Sequence, residues 1–136
     1  KRAAVAMHER AIAIYERLVA QEGRRELAND LARAYMNKAA LVSPLGDNRA
    51  AVALCDRAIG IWERAVEQEG RRELLGDLAW VRASRANILY KLGDTKKAQT
   101  EAREAMAALQ AEVARTGRAD LKVALDWAIT ALRSVL

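Results

Sequence analysis

The heptapeptide Gln21-Glu22-Gly23-Arg24-Arg25-Glu26-Leu27 returns letter for letter as Gln68-Glu69-Gly70-Arg71-Arg72-Glu73-Leu74, and more than half of residues 1–47 recur at the same place in 48–94. A repeat of 47 residues is the length of one supersecondary unit. Such a unit buries its apolar face only by stacking on copies of itself, so the expected architecture is a solenoid and not a globule with one closed core. A third copy, 95–136, has drifted but keeps the register through Gly23/Gly70/Gly117, Arg24/Arg71/Arg118, Leu27/Leu74/Leu121 and Leu31/Leu78/Leu125. The units 1–47, 48–94 and 95–136 then form a single repeat domain with no linker, read as a fragment of a longer array.

Each unit has two breakpoints, the glycine at 23, 70 or 117 and the Gly-Asp pair Gly46-Asp47 or Gly93-Asp94. Between them the apolar residues follow a 3.6-residue period, and the excess of Leu, Ala, Glu and Arg favours helix. Six helices are predicted, near 2–22, 25–45, 48–69, 72–92, 95–115 and 119–135, with no strands. The glycines supply the left-handed helix stops, and Asp47 and Asp94 are placed to cap the helices that follow. Ala4/Ala11, Ala51/Ala58 and Ala98/Ala105, seven apart on one face, let neighbouring helices approach closely. Ile12, Ile14, Tyr15, Leu18 and Val19, matched by Ile59, Ile61, Trp62, Ala65 and Val66, are the expected repeating core.

The net charge of +5 comes from 23 basic and 18 acidic residues, mostly interleaved, as in Glu9-Arg10 and Asp56-Arg57. That pattern predicts no dedicated nucleic-acid or membrane element. No apolar run reaches the ~18 residues needed to span a bilayer, and the single cysteine, Cys55, fits a reducing compartment, so a cytoplasmic location is expected. The chain opens at Lys1 without an initiator Met, which leaves room for a preceding segment.

The run Ala39-x6-Gly46-Asp47-x3-Ala51-x6-Ala58, repeated as Ala86-x6-Gly93-Asp94-x3-Ala98-x6-Ala105, resembles the tetratricopeptide repeat. In that family a small residue in helix A, a Gly-Asp turn and two alanines seven apart in helix B let the two helices pack. Tyr35, Val42 and Cys55 fall where the family has aromatic or bulky residues. The unit here is longer than the family's ~34 residues, so both helices gain about two turns, and Gly70-Arg71 stands where the family has a proline. HEAT and armadillo units are closer in length but lack the Gly-Asp turn with its paired alanines. The resemblance covers the whole chain, which begins with a helix B and ends with a helix A.

The resemblance implies a right-handed α-solenoid of antiparallel hairpins whose concave face, lined by helix A, binds a peptide or protein segment. The implied positions are Arg33, Met36, Asn37 and Ala40 in the first helix A. In the second they are Trp80, Ala83, Ser84, Asn87, Tyr90 and Lys91, and in the third Trp127, Thr130 and Ser134. On the second helix A, Trp80, Ser84, Asn87 and Lys91 share one stripe, while Leu74, Leu78, Val81, Ile88, Leu89 and Leu92 occupy the apolar side. Residues 33–44 and 80–91 share only Ala39/Ala86, whereas the turns and helix B are nearly copied. Divergence concentrated in helix A is what a recognition surface on a repeated scaffold would show, and also what neutral drift would leave.

Asn37, Asn87 and Lys91 offer donors, acceptors and a positive charge to the backbone or terminal carboxylate of an extended peptide. The family's carboxylate clamp is incomplete, because Met36, Ala40 and Ala83 replace polar members. Trp80 and Trp127 suit peptide anchoring and inter-repeat packing alike. Arg24, Arg71 and Arg118 run up one edge, but the glutamates beside them favour ion-pair ladders over an anion site. His8 and Cys55 have no ligand partner at helical spacing, and no zinc motif, nucleophilic triad or phosphate loop can be assembled. The expectation is a non-catalytic module without cofactor or metal. Self-assembly through the repeat ends, giving a homo-oligomer, and a regulatory or sensor segment of a larger protein are the alternatives.

Overall fold

The computed structural model describes residues 2–21 and 23–136. Among them every regular element is helical, with no strand. The six α-helices are α1 (Arg2–Glu16), α2 (Ala28–Val42), α3 (Asn48–Glu67), α4 (Leu75–Lys91), α5 (Thr95–Thr116) and α6 (Ala119–Ala131). None of the described helices is long and apolar enough to cross a membrane.

The turns repeat as closely as the sequence does. Gly23, Gly70 and Gly117 have φ of 67°, 68° and 66°, a left-handed conformation that costs a residue with a Cβ about 1 kcal/mol. Beyond the first two, the amide of Arg24 donates to the Leu18 carbonyl and that of Arg71 to the Ala65 carbonyl, each at 2.9 Å. The second turn type recurs at Gly46 and Gly93, where Asp47 and Asp94 donate to the carbonyls of Val42 and Leu89 at 3.2 and 3.0 Å. The Asp47 carboxylate caps α3 through the Ala50 amide, as the spacing predicts, but Asp94 makes no side-chain cap on α5.

Helix ends differ from the expected spans for local reasons. Pro44 has no N–H for the Ala40 carbonyl and its ring crowds that group, so α2 stops at Val42 and continues as a 3-10 turn over Ser43–Leu45. Arg25–Leu27 and Arg72–Leu74 are 3-10 turns leading into α2 and α4. The expected first helix, 2–22, is α-helical to Glu16 and widens into a π turn over Arg17–Gln21, while Glu22 lies outside the described residues.

Each helix packs on the next, and α4 also packs on α6. Two clusters of buried side chains result, one from Ile12 to Ile88 and one from Ala79 to Val135. The helix α4 serves both: Leu78, Val81 and Ile88 face the first, Ala79, Ala83, Ala86 and Leu89 the second. The single apolar side expected for α4 is therefore wrong, since a helix covered on two sides is apolar on both, and Leu92 is 41% exposed at its end. Within α4, a Cβ on Gly76 would lie 2.4 Å from Cδ1 of the fully buried Leu121, so glycine sets how closely α4 and α6 approach.

The seven-residue alanine pairs behave as close-approach positions where a helix covers them. Ala51, Ala58 and Ala98 are fully buried and Ala105 nearly so, whereas Ala4 and Ala11 are half-buried. Of the expected core, Ile14 is 51% exposed, and its repeat equivalent Ile61 is only partly buried. Trp62 is fully buried and its Nε1–H donates to Asn29 Oδ1 at 2.8 Å.

Candidate functional site

A groove of about 350 Å³ runs across α2, α4 and α6. Its lining includes Met36, Asn37 and Ala40 from α2, Trp80, Ser84, Asn87 and Lys91 from α4, and Trp127 from α6. These eight are among the positions the sequence singles out. The stripe arises because 36, 37 and 40, like 80, 84, 87 and 91, step by three or four residues along one helix face.

The other five lie elsewhere. Arg33 turns toward α4 and pairs with Asp77 at 3.3 Å. Ala83 is fully buried against the α5–α6 side, so it is a packing residue. Tyr90 and Thr130 are exposed outside the groove, the Thr130 hydroxyl donating to the Asp126 carbonyl of its own helix. Ser134 is exposed as well. The groove also takes in Ala39, Ser43, Pro44 and Ile88, which the sequence reading did not place among its binding positions. Extending the same stripe by one turn, from Ala40 to Pro44 and from Ser84 to Ile88, would have found two of them.

Met36, Ile88 and Pro44 with the two indoles make an apolar floor, and Asn37, Asn87 and Lys91 rim it. No carboxylate lines the groove, and these three polar side chains have no hydrogen-bond or ion-pair partner among the described residues. The contrast with the other two cavities is chemical. Across the roughly 400 Å³ hollow between α3, α4 and α5, Arg85 binds Asp56 at 2.6 Å and Glu101 at 2.5 Å. In the roughly 440 Å³ hollow between α1, α2 and α3, Lys38 pairs with Glu9 at 3.4 Å and Asp47 caps a helix. Polar groups there are largely committed to one another, and those of the α2–α4–α6 groove are not.

Elsewhere the charges do structural work. Arg24–Glu26, Arg71–Glu73 and Arg118–Asp120 form the same local pair in each unit, at 2.9, 3.0 and 2.7 Å. Arg118 also reaches back to the preceding unit, donating to the Glu73 carbonyl at 3.0 Å and meeting Asp77 at 3.5 Å. Asp77, only 2% exposed, thus joins Arg33 of the first unit to Arg118 of the third. Sequence reasoning missed it, since nothing distinguishes Asp77 from its repeat equivalent, the exposed Asp30.

The His8 ring bonds the Ala4 carbonyl of its own helix at 2.8 Å, and no group of three or more potential metal ligands occurs among the described residues. Burial pushes the Cys55 thiol up from 9.0 to about 12. Burial, then hydrogen bonding to Glu16, pushes the Tyr35 hydroxyl from 10.0 to about 12. Both groups hold their protons in the native state more tightly than when unfolded, so their contribution is complete below about pH 9 and is lost as pH rises toward 12. Denaturant midpoints measured against pH should be flat to about pH 9 and then fall, less steeply in Cys55→Ala. Native Cys55 should resist a thiol reagent at pH 8 and react on unfolding, and rapid native labelling would contradict its burial.

No family model, no curated protein and no solved structure matches this chain.

Proposed function

We propose that this chain is a non-catalytic recognition module of tetratricopeptide type. In this reading it is a right-handed α-solenoid of antiparallel hairpins, with α2, α4 and α6 as helix A and their shared groove as the concave binding face. The ligand is an extended peptide or a segment of a partner protein, and a cytoplasmic setting suits a lone buried thiol. The observation that carries the proposal is the convergence of uncommitted Asn37, Asn87 and Lys91 around Trp80 and Trp127 in one groove. Amides suit an extended backbone, which offers donors and acceptors in alternation, and indoles give large contact area at little entropic cost. A volume of about 350 Å³ is at the small end for ligand sites and suits a few side chains of a longer segment.

The test is selection of peptides from a random display library on the immobilised chain, followed by titration of the selected peptides against variants. Trp127→Ala and the double variant Asn87→Ala/Lys91→Ala should each weaken binding by roughly tenfold or more. Their melting temperatures should stay at the wild-type value, because Trp127 is 39% exposed and the other two side chains make no bond to another described residue. Peptides that bind both variants as well as wild type would refute the groove as the site.

A further inference from the structure

The charge of the α2–α4–α6 groove is gathered at one end. Along α4 the lining steps from Trp80 to Lys91, roughly 16 Å of helix at about 1.5 Å per residue. Trp127 is the repeat equivalent of Trp80, so both indoles stand at the Trp80 end. Among the described residues, Lys91 is the one charged side chain of the lining, and it pairs with none of them. Its place in the last turn of α4 does not occupy it, because the carbonyls of Ile88, Leu89 and Tyr90 already accept from the amides of Leu92, Gly93 and Asp94.

Beyond the Gly93 turn the chain returns as α5 with Lys96 and Lys97, both exposed and likewise unpaired among the described residues, against the single carboxylate of Asp94. At the Trp80 end the cations are committed: Arg33 to Asp77, Arg71 to Glu73, and Arg118 to Asp77 and Asp120. A ligand thus meets apolar surface at one end of the groove and uncompensated positive charge at the other. On the reading of this groove as the binding face, we infer that the bound segment is acidic to one side of its anchor. A bulky apolar side chain packs against Trp80 and Trp127, and an Asp or Glu side chain pairs with Lys91, with Lys96 and Lys97 extending the positive field. An extended chain covers about 3.3 Å per residue, so the carboxylate lies about three to six positions from the apolar anchor. Charge complementarity selects this ligand: no carboxylate of the lining competes for Lys91, and a basic ligand residue there would face three lysines. Asn37 and Asn87 are left for the ligand backbone.

The test takes peptides enriched from a random display library on the immobilised chain and resynthesises the tightest binder with its carboxy terminus amidated. Enriched sequences should carry Asp or Glu at that distance from an aromatic or large aliphatic residue. Neutralising that acidic residue, or Lys91→Gln in the protein, should weaken binding about two- to fivefold, the scale of an exposed ion pair. The two changes together should cost no more than either alone. Lys91→Glu should weaken binding about tenfold or more, and a peptide with Lys in place of its carboxylate should recover the loss. The double variant Lys96→Glu/Lys97→Glu should give a smaller loss that added salt removes. Peptides weakened by Trp127→Ala but indifferent to Lys91→Glu and Lys91→Gln would overturn this inference and leave the groove standing. Peptides indifferent to all three, or no enriched peptide at all, would overturn the groove with it. Loss of binding on amidation would overturn the inference too, because the partner of Lys91 would then be a chain terminus and not a side chain.

Discussion

Replacing Trp62 by alanine should destabilise the chain by about 3–5 kcal/mol, the largest loss expected from any single substitution here. The indole is fully buried in the first core cluster, with α2 across from it, and its removal leaves a cavity that neighbouring helices cannot close without breaking the Ala51/Ala58 approach. A second component comes from Asn29, whose Oδ1 loses the Nε1–H donor at 2.8 Å. For a domain whose total stability is about 5–15 kcal/mol, this brings the chain near the threshold of folding. Trp62→Phe separates the two parts, keeping most of the volume but not the hydrogen bond, and should cost about 1–2 kcal/mol. Urea denaturation measures both. A Trp62→Ala loss below about 1 kcal/mol would mean that the α2–α3 junction collapses around the gap far more readily than close-packed helices do.

The second large effect falls on Asp77. Its carboxylate, 2% exposed, meets Arg33 at 3.3 Å and Arg118 at 3.5 Å, so one side chain ties three units together. Breaking a fully buried ion pair costs about 3–5 kcal/mol, but the Arg33 and Arg118 side chains are 41% and 32% exposed and can rehydrate. The expected cost of Asp77→Ala is therefore about 2 kcal/mol. Asp30→Ala, the same substitution at the same place in the preceding unit, should lie within about 0.5 kcal/mol of wild type because Asp30 is exposed and has no ion-pair partner among the described residues. Equal losses in the two variants would show that the contribution comes from the helix N-terminus they share and not from the arginines. Arg33→Ala alone should cost less than Asp77→Ala, since Arg118 remains to pair with the carboxylate.

Much of this molecule is legible in one dimension. A 47-residue repeat, five turn glycines at recurrent positive φ and a 3.6-residue period determine six helices and their order, because each signal is a local property of the chain. The groove stripe is legible for a related reason: Met36, Asn37 and Ala40, or Trp80, Ser84, Asn87 and Lys91, lie together on any helix that contains them.

What the sequence does not determine is which copy of a repeated residue is covered. Asp30 and Asp77 occupy the same repeat position, yet only Asp77 is enclosed, because α4 packs on α6 as well as on α3 and α5, and Arg33 and Arg118 close over its carboxylate. Met7 and Leu54 occupy the same repeat position, yet Met7 is 67% exposed and Leu54 is buried in the first core cluster. Arg33, Trp80 and Trp127 share one position as well, and tertiary contacts send the arginine to Asp77 and the two indoles to the groove. Helix periodicity comes from the residue's own neighbours in sequence. Burial comes from the helix that arrives across the interface, and only the tertiary structure decides which helix that is.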